Sequence, residues 1–311
     1  MSRVDEFEEL RPLLSSIAYR ILGSVSEAED AVQEAWLRYQ TSSTPHTSTR
    51  AFLSAVVTRT SIDLLRAARR RREAYVGPWL PEPLLTDPYE DPERSAELAD
   101  SVSMAALLLL ERLTPLERAV FVLREVFGFS FQEVASAVGR SEAASRQLAV
   151  RARRHMEDGR PRFEADRLER EELAKRFFDA FKEGDVEGLR ELLAADVQML
   201  GDAGGKAPQW KPIVGAGAVA RTLAAIIAPF IRIGGVVEPC HVNRQPGAVF
   251  RDRDGKVLNI LSLDILDGQI QAIRSVINPD KLQHIGPVAD AWAVLREANQ
   301  ARRPTDRPEP D

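Results

Sequence analysis

The chain has 311 residues, 44% of them hydrophobic and 29% charged, with a formal net charge of −5. That length suits two or three domains, each with its own core, and a single cysteine, Cys240, excludes an intrachain disulfide framework and any thiolate cluster within one chain. The mildly acidic total excludes little about polyanion binding, because phosphate attraction follows the local field. Residues 59–72 hold six arginines and one aspartate, whereas residues 82–100 hold seven acids and one arginine.

The apolar spacing predicts three helices at the start of the chain, over residues 7–22, 25–39 and 50–73, with a turn at Gly23-Ser24. The second carries Ala28, Ala31, Ala35 and Leu37, with Glu27, Glu29, Asp30 and Glu34 grouped toward its start, where they suit the helix dipole. The third has an apolar stripe at Phe52, Val56, Ile62 and Leu65 and ends in Arg66 and Arg69, Arg70, Arg71 and Arg72. Adjacent arginines spread around a helix, which suits a rod lying against a polyanion; a solvated cationic end that complements the helix dipole is the other reading. Prolines 78, 81, 83, 88 and 92 then exclude regular helix across most of residues 77–92. Within that stretch WLPEP is too apolar to be wholly solvated, so Trp79 and Leu80 are expected to pin it to a neighbouring domain.

Helices over residues 101–113 and 115–127 lead into a short helix over 131–138, a break at Gly139 and Ser141, and a helix over 142–156. Val134, Val138, Ala144, Leu148, Ala149 and Ala152 form the expected seam of a helix-turn-helix. Glu142, Ser145, Arg146 and Gln147, in the first half of its last helix, are the candidates for reading base edges. Arg151, Arg153 and Arg154 are placed for phosphates or solvent.

The periodicity changes after Arg167. A helix with Leu173, Phe177, Phe178 and Phe181 is followed by a second over 186–193 and a third over 216–227. Strands are expected over 197–200, 231–237, 248–250, 257–266 and 270–277, with hairpin signals at Asp254-Gly255 and Asp267-Gly268. This pattern predicts an α+β cone with a curved antiparallel sheet able to wrap either a cavity for a small-molecule ligand or a filled apolar core. Asp202, Asp264 and His241 are nominal acid–base candidates for isomerase chemistry, but nothing in the sequence pairs them. Cys240 and His241 would point to opposite faces of a strand. No catalytic residue, metal or cofactor is expected.

Three groups of segments carry a family resemblance. AEDAVQEAWLRY (residues 28–39) followed by RAFLSAVVTRTSIDLLRAARRRRE (residues 50–73) resembles the core-polymerase-binding and promoter-opening domain of extracytoplasmic-function sigma factors. LERLTPLERAVFVLREVFGFSFQEVASAVGRSEAASRQLAVRARRHM (residues 110–156) resembles the domain of the same family that reads the upstream promoter element. WLPEP, GDAGGK (residues 201–206) and NPDKL (residues 278–282) are similar to motifs of a subgroup carrying a C-terminal SnoaL-like domain. Ala203 stands where that subgroup usually has glycine.

The resemblance implies two all-α sigma domains followed by the α+β cone. The expected boundaries are 1–75, a proline-rich acidic linker over 76–100, the helix-turn-helix domain over 101–160, the SnoaL-like domain over 168–294 and a disordered tail over 295–311. It further implies that Asp30, Gln33, Glu34, Trp36, Leu37 and Arg38 meet core RNA polymerase. Arg59, Asp63, Arg66 and Arg69 to Arg72 would meet the downstream promoter element. A regulatory role falls to Trp79, Leu80, Pro81, Asp202, Gly204, Gly205, Lys206, Asn278, Pro279, Asp280, Lys281 and Leu282, with the GDAGGK loop expected near WLPEP. The expected function is promoter-directed transcription initiation in the cytoplasm, away from membranes. The alternatives are a standalone DNA-binding regulator and an isomerase or cyclase with a DNA-binding module.

Overall fold

The computed structural model describes residues 2–43, 48–89, 91, 98, 101–157, 167–206 and 211–300. Residues 44–47, most of the acidic linker and the end of the tail fall outside these residues. The chain divides into two compact units, residues 1–75 with 79–162 and residues 76–78 with 163–311.

The first unit opens with α1 (Arg3–Leu22), α2 (Val25–Thr41) and α3 (Thr49–Arg72). Each starts behind a serine, Ser2, Ser24 or Ser48, whose hydroxyl accepts a backbone N–H of the first turn. Gly23 ends α1 in the left-handed region, with φ of 71°. The second half contains α4 (Met104–Leu110), α5 (Pro115–Phe121), α6 (Phe131–Val138) and α7 (Glu142–Glu157). Thr114–Glu117 and Ser130–Glu133 form reciprocal caps at the starts of α5 and α6. The helix expected to continue to residue 127 instead widens into a π-helical turn, Val122–Val126, in which the Phe127 N–H reaches the Val122 carbonyl. Helices α1 to α7 all contribute to one apolar core, from Leu14, Ile17, Leu53 and Val57 through Leu107 and Leu123 to Val134 and Ala149. Completely buried leucines and isoleucines such as Leu14 and Ile17 each contribute roughly 1.5–3 kcal/mol.

The second unit begins with α8 (Arg167–Glu183) and α9 (Val186–Leu192), then adds β1 (Leu193–Asp202), β2 (Ile213–Val214), α10 (Ala216–Arg232), β3 (Val236–Val242), β4 (Gln245–Arg251), β5 (Val257–Leu266), β6 (Gln269–Val276) and α11 (Ala291–Gln300). The strand expected from residue 231 starts later, because α10 runs on through Arg232 and turns at Gly234, φ 73°. Phe181 and Phe230 both meet Phe250 edge-on, with ring centroids 5.6 and 5.5 Å apart, at the centre of this unit's core.

The expectation of a cone with a curved antiparallel sheet is overturned. The six strands form an open sheet in the order β2-β1-β6-β5-β4-β3, with β2 and β3 left as separate edges. The sheet is also mixed, because β1 runs parallel to β6. Hairpin chemistry specifies only neighbours in sequence: Asp267-Gly268 does join antiparallel β5 and β6. The placement of β1 beside the last strand is set by non-local packing, on which turn residues carry no information.

Candidate nucleic-acid interface

Helical geometry sorts the residues of α2 into two faces. Ala28, Ala31, Val32, Ala35 and Tyr39 are buried, while Asp30, Gln33, Glu34, Leu37 and Arg38 recur at helical spacing on the opposite side. Leu37 is 49% exposed, a large apolar side chain in a charged surround. Arg38 donates to Glu34 at 2.6 Å. Trp36 belongs to the flank rather than to this stripe: it is half-buried and packs on Phe7, ring centroids 4.9 Å apart.

The cations of α3 are largely engaged inside the first unit. Arg59 donates to the carbonyls of Ser136 and Ala137 at the end of α6, the latter at 3.0 Å. Arg69 donates to the carbonyls of Glu111 and Leu113. Arg72 pairs with the Glu111 carboxylate at 2.7 Å, donates to the Leu22 carbonyl at 3.0 Å and stacks on Trp79 at 3.7 Å. Arg71 pairs with Glu27 at 2.6 Å. Exposed Asp63 and Arg66 pair with each other at 2.9 Å, and Arg70 projects to solvent.

In α7, Glu142, Arg146 and Gln147 are exposed, with Arg146 donating to Glu142 at 3.1 Å and lying 4.6 Å from the centre of the Phe131 ring. Arg151 lies 3.3 Å from Glu117 and Arg153 lies 2.8 Å from Glu125, whereas Arg154 is exposed. Ser145 requires a correction. It lies on the seam with Leu148, Ala149 and Ala152, is 0% exposed and presents no hydroxyl to a base. Its spacing from those residues, at i+3, i+4 and i+7, was the available signal. Because its Oγ has no hydrogen-bond partner among the described residues, Ser145→Ala is expected to leave promoter choice unchanged and to raise stability by up to about 1 kcal/mol. Promoter-library transcription and chemical denaturation check the two halves of that statement.

Sequence reasoning missed a buried network. Arg20, fully buried, donates to Asp87 and Ser101 at 2.8 Å and to the Leu98 carbonyl at 2.9 Å. Arg118, also fully buried, donates to the Arg20 carbonyl at 2.9 Å and pairs with Glu111. The signal was an arginine inside an apolar run in each case, IAYRIL and LERAVFVL, since such a charge stays buried only when paired.

WLPEP packs on the turn between α1 and α2. Leu80 is buried, the Tyr19 hydroxyl donates to the Glu82 carbonyl at 2.6 Å, and the Glu82 N–H reaches the Gly23 carbonyl at 2.9 Å. The Glu82 carboxylate accepts from Ser24 Oγ and from the Val25 and Ser26 N–H groups at 2.8, 2.7 and 3.2 Å. It therefore caps the positive end of α2 from outside the helix. Glu82, an acid of the proline-rich linker, is thus a structural cap.

GDAGGK packs on NPDKL within the second unit, and Gly205 lies against Val76 of the same unit. Parallel pairing brings the C-terminal ends of β1 and β6 together at one end of the sheet, Asp202 beside Val276. Buried Lys281 donates to Asp202 at 2.7 Å, and exposed Lys206 pairs with Asp280 at 2.6 Å. The N–H groups of Ile277 and Asn278 reach the Asp202 carbonyl at 2.8 and 2.9 Å, while Pro279 opens a short helical turn and Leu282 is buried behind it. Gly204 and Gly205 take φ of 60° and 73°. Ala203 has no positive φ, so alanine is compatible with the loop. A Cβ at Gly204 would collide with the Asn278 side chain. Gly204→Ala is accordingly expected to destabilise this unit by about 1–3 kcal/mol in chemical denaturation.

The nominal acid–base groups do not assemble. Asp202 holds Lys281, Asp264 holds Arg274, and His241 lies 3.6 Å from Glu171. Burial raises the Cys240 thiol to about 11, away from thiolate chemistry. Among the described residues, no helix is long and apolar enough to cross a membrane.

Comparison with known proteins gives this geometry its context. The chain matches the sigma-70 region 2 family over residues 7–71 and the sigma-70 region 4 family over residues 103–156. It is 38% identical over 288 residues to the ECF RNA polymerase sigma factor SigJ of Mycobacterium tuberculosis, covering 89% of this chain and 92% of that one. It is 31% identical over 275 residues to a protein from the same species described as a probable ECF RNA polymerase sigma factor, SigI, covering 88% and 92%. The crystal structure of M. tuberculosis SigJ superimposes with a TM-score of 0.68 at 35% identity, over 90% of this chain and 98% of that one. The chain therefore belongs to the ECF RNA polymerase sigma factors, initiation factors of the sigma-70 family that engage core RNA polymerase and promoter DNA rather than catalyse a reaction.

Proposed function

We propose that this sigma factor, acting in the cytoplasm, docks core RNA polymerase through the exposed stripe of α2. The observation that carries the assignment is Leu37, 49% exposed and framed by Asp30, Gln33, Glu34 and Arg38. An apolar anchor with a polar rim suits a protein partner, and the acids of the stripe would repel DNA. Trp36 supports the stripe by bracing α2 against Phe7. Leu37→Asp is expected to weaken binding to purified core enzyme by roughly tenfold, with the unfolding midpoint of the free chain nearly unchanged. Undiminished co-purification of that variant would sink the assignment.

The promoter contacts come from the two halves of the first unit. Arg146, Gln147 and Glu142 present the start of α7 to base edges in the upstream element. Arg154 reaches phosphate directly, and Arg151 and Arg153 do so by exchanging Glu117 and Glu125 for it. Arg66 and Arg70, with Asp63 beside them, begin the downstream contact. Arg59, Arg69, Arg71 and Arg72 join once their internal partners move away.

The second unit modulates initiation through the paired loops around Asp202 and Asn278, and WLPEP fixes the geometry of the first unit. On this reading Gly204→Ala also changes promoter-directed transcription by the full chain while leaving core binding intact. Unchanged transcription from that variant would count against the loop's regulatory role.

A further inference from the structure

The second unit holds a cavity of about 370 Å³ between α10, α11 and the sheet, within the size range of small-molecule sites. Its walls are apolar, including Met199, Phe230, Phe250 and Leu261. Two polar features interrupt them. On the sheet, the Ser275 hydroxyl donates to Asn259 Oδ1 at 2.9 Å, which fixes the orientation of the Asn259 amide. On α11, Arg296 lies one turn beyond Trp292 and is the only charged side chain among the described residues lining the cavity.

The distribution is directional. Apolar walls favour a hydrocarbon body, since water there would make few hydrogen bonds. A lone guanidinium, exposed to solvent, favours an anionic head at the mouth, where a carboxylate can take paired N–H bonds and remain hydrated. The oriented Asn259 amide can donate to a carbonyl or hydroxyl oxygen carried on the body. We propose that this cavity binds a small amphipathic carboxylate, its apolar body against Phe230, Phe250 and Leu261 and its carboxylate on Arg296. The proposal concerns the second unit alone and does not depend on the promoter or polymerase assignments.

The test is calorimetric titration of the full chain with decanoate and with decan-1-ol, in the absence of DNA and polymerase. Decanoate is expected to bind once per chain. Arg296→Gln should weaken decanoate about fivefold and leave decan-1-ol unchanged. Ala225 lines the cavity on the exposed side of α10, so Ala225→Trp should remove binding of both compounds without moving the thermal unfolding of the chain. Failure of decanoate to saturate at one per chain overturns the proposal. So does decanoate affinity unmoved by Arg296→Gln, whose exposed position makes misfolding an inadequate excuse.

Discussion

Bridging α3 to the end of α6 is expected to abolish promoter-directed transcription. The experiment places cysteines at Arg59 and Ser136, in a chain with Cys240→Ser, and joins them with a cleavable bismaleimide. Arg59 already spans this seam through the Ser136 and Ala137 carbonyls. Farther along α3, Arg69 donates to the Glu111 and Leu113 carbonyls, and Arg72 pairs with Glu111. The assigned downstream-promoter cations therefore hold the reading half of the same unit. Most of these acceptors are neutral carbonyls, so a phosphate oxygen, which forms a charge-assisted bond, can displace them when polymerase and promoter are present. The exchange requires the α3–α6 seam to open. A covalent bridge prevents opening without deleting a contact residue beyond the two replaced. The unbridged double variant supplies the reference activity, and cleavage of the bridge should restore it. Equal transcription from bridged and unbridged chains would show that DNA is bound with the seam closed.

The part of this arrangement legible in the sequence is the part governed by local rules. Serine caps, Gly23 and Gly139, and the periodic stripes place the helices to within a few residues at most ends. The α2 residues come from the family resemblance, and the structure puts all but Trp36 on one face; the seam for Leu148, Ala149 and Ala152 follows from spacing alone. Ser145 escapes a seam drawn through apolar residues alone, although its spacing puts it there. The use made of the arginines was not legible. A run such as Arg69 to Arg72 has the same composition whether it meets phosphate or a neighbouring helix, and partners 39 residues or more away, such as Glu111 for Arg72, are chosen by tertiary packing. The sheet repeats the point: hairpin residues specify β5 beside β6, yet the parallel entry of β1 depends on the folded core. The GDAGGK and NPDKL motifs come together through that entry, a proximity that turn chemistry could not foretell.

Replacing Glu111 by alanine is expected to destabilise the first unit by about 3 kcal/mol, and adding Arg118→Met should recover most of the loss. Glu111 joins Arg72 of α3 to Arg118 of α5. Arg118 is 0% exposed; apart from Glu111 it donates to the Arg20 carbonyl, and its Nη2 has no hydrogen-bond partner among the described residues. Burial pushes the Arg118 pKa down, opposed by Glu111. Removing the acid strands a buried guanidinium, which costs more than the pair is worth; removing both charges leaves an apolar gap that methionine fills. The 18% exposure of the Glu111 side chain places the effect at the lower end of the usual range for a buried pair. The same group sets an acid limit. Burial raises its pKa, but Arg118 and then Arg72 more than offset that and hold it below 4.5. Because the folded value lies below the unfolded one, the contribution is complete above about pH 4.5 and disappears as pH falls through the folded value. Denaturation curves of the wild type, Glu111→Ala and the double variant should thus differ most near neutrality and converge in acid. A double variant as unstable as Glu111→Ala would mean that the stranded charge is not the cause.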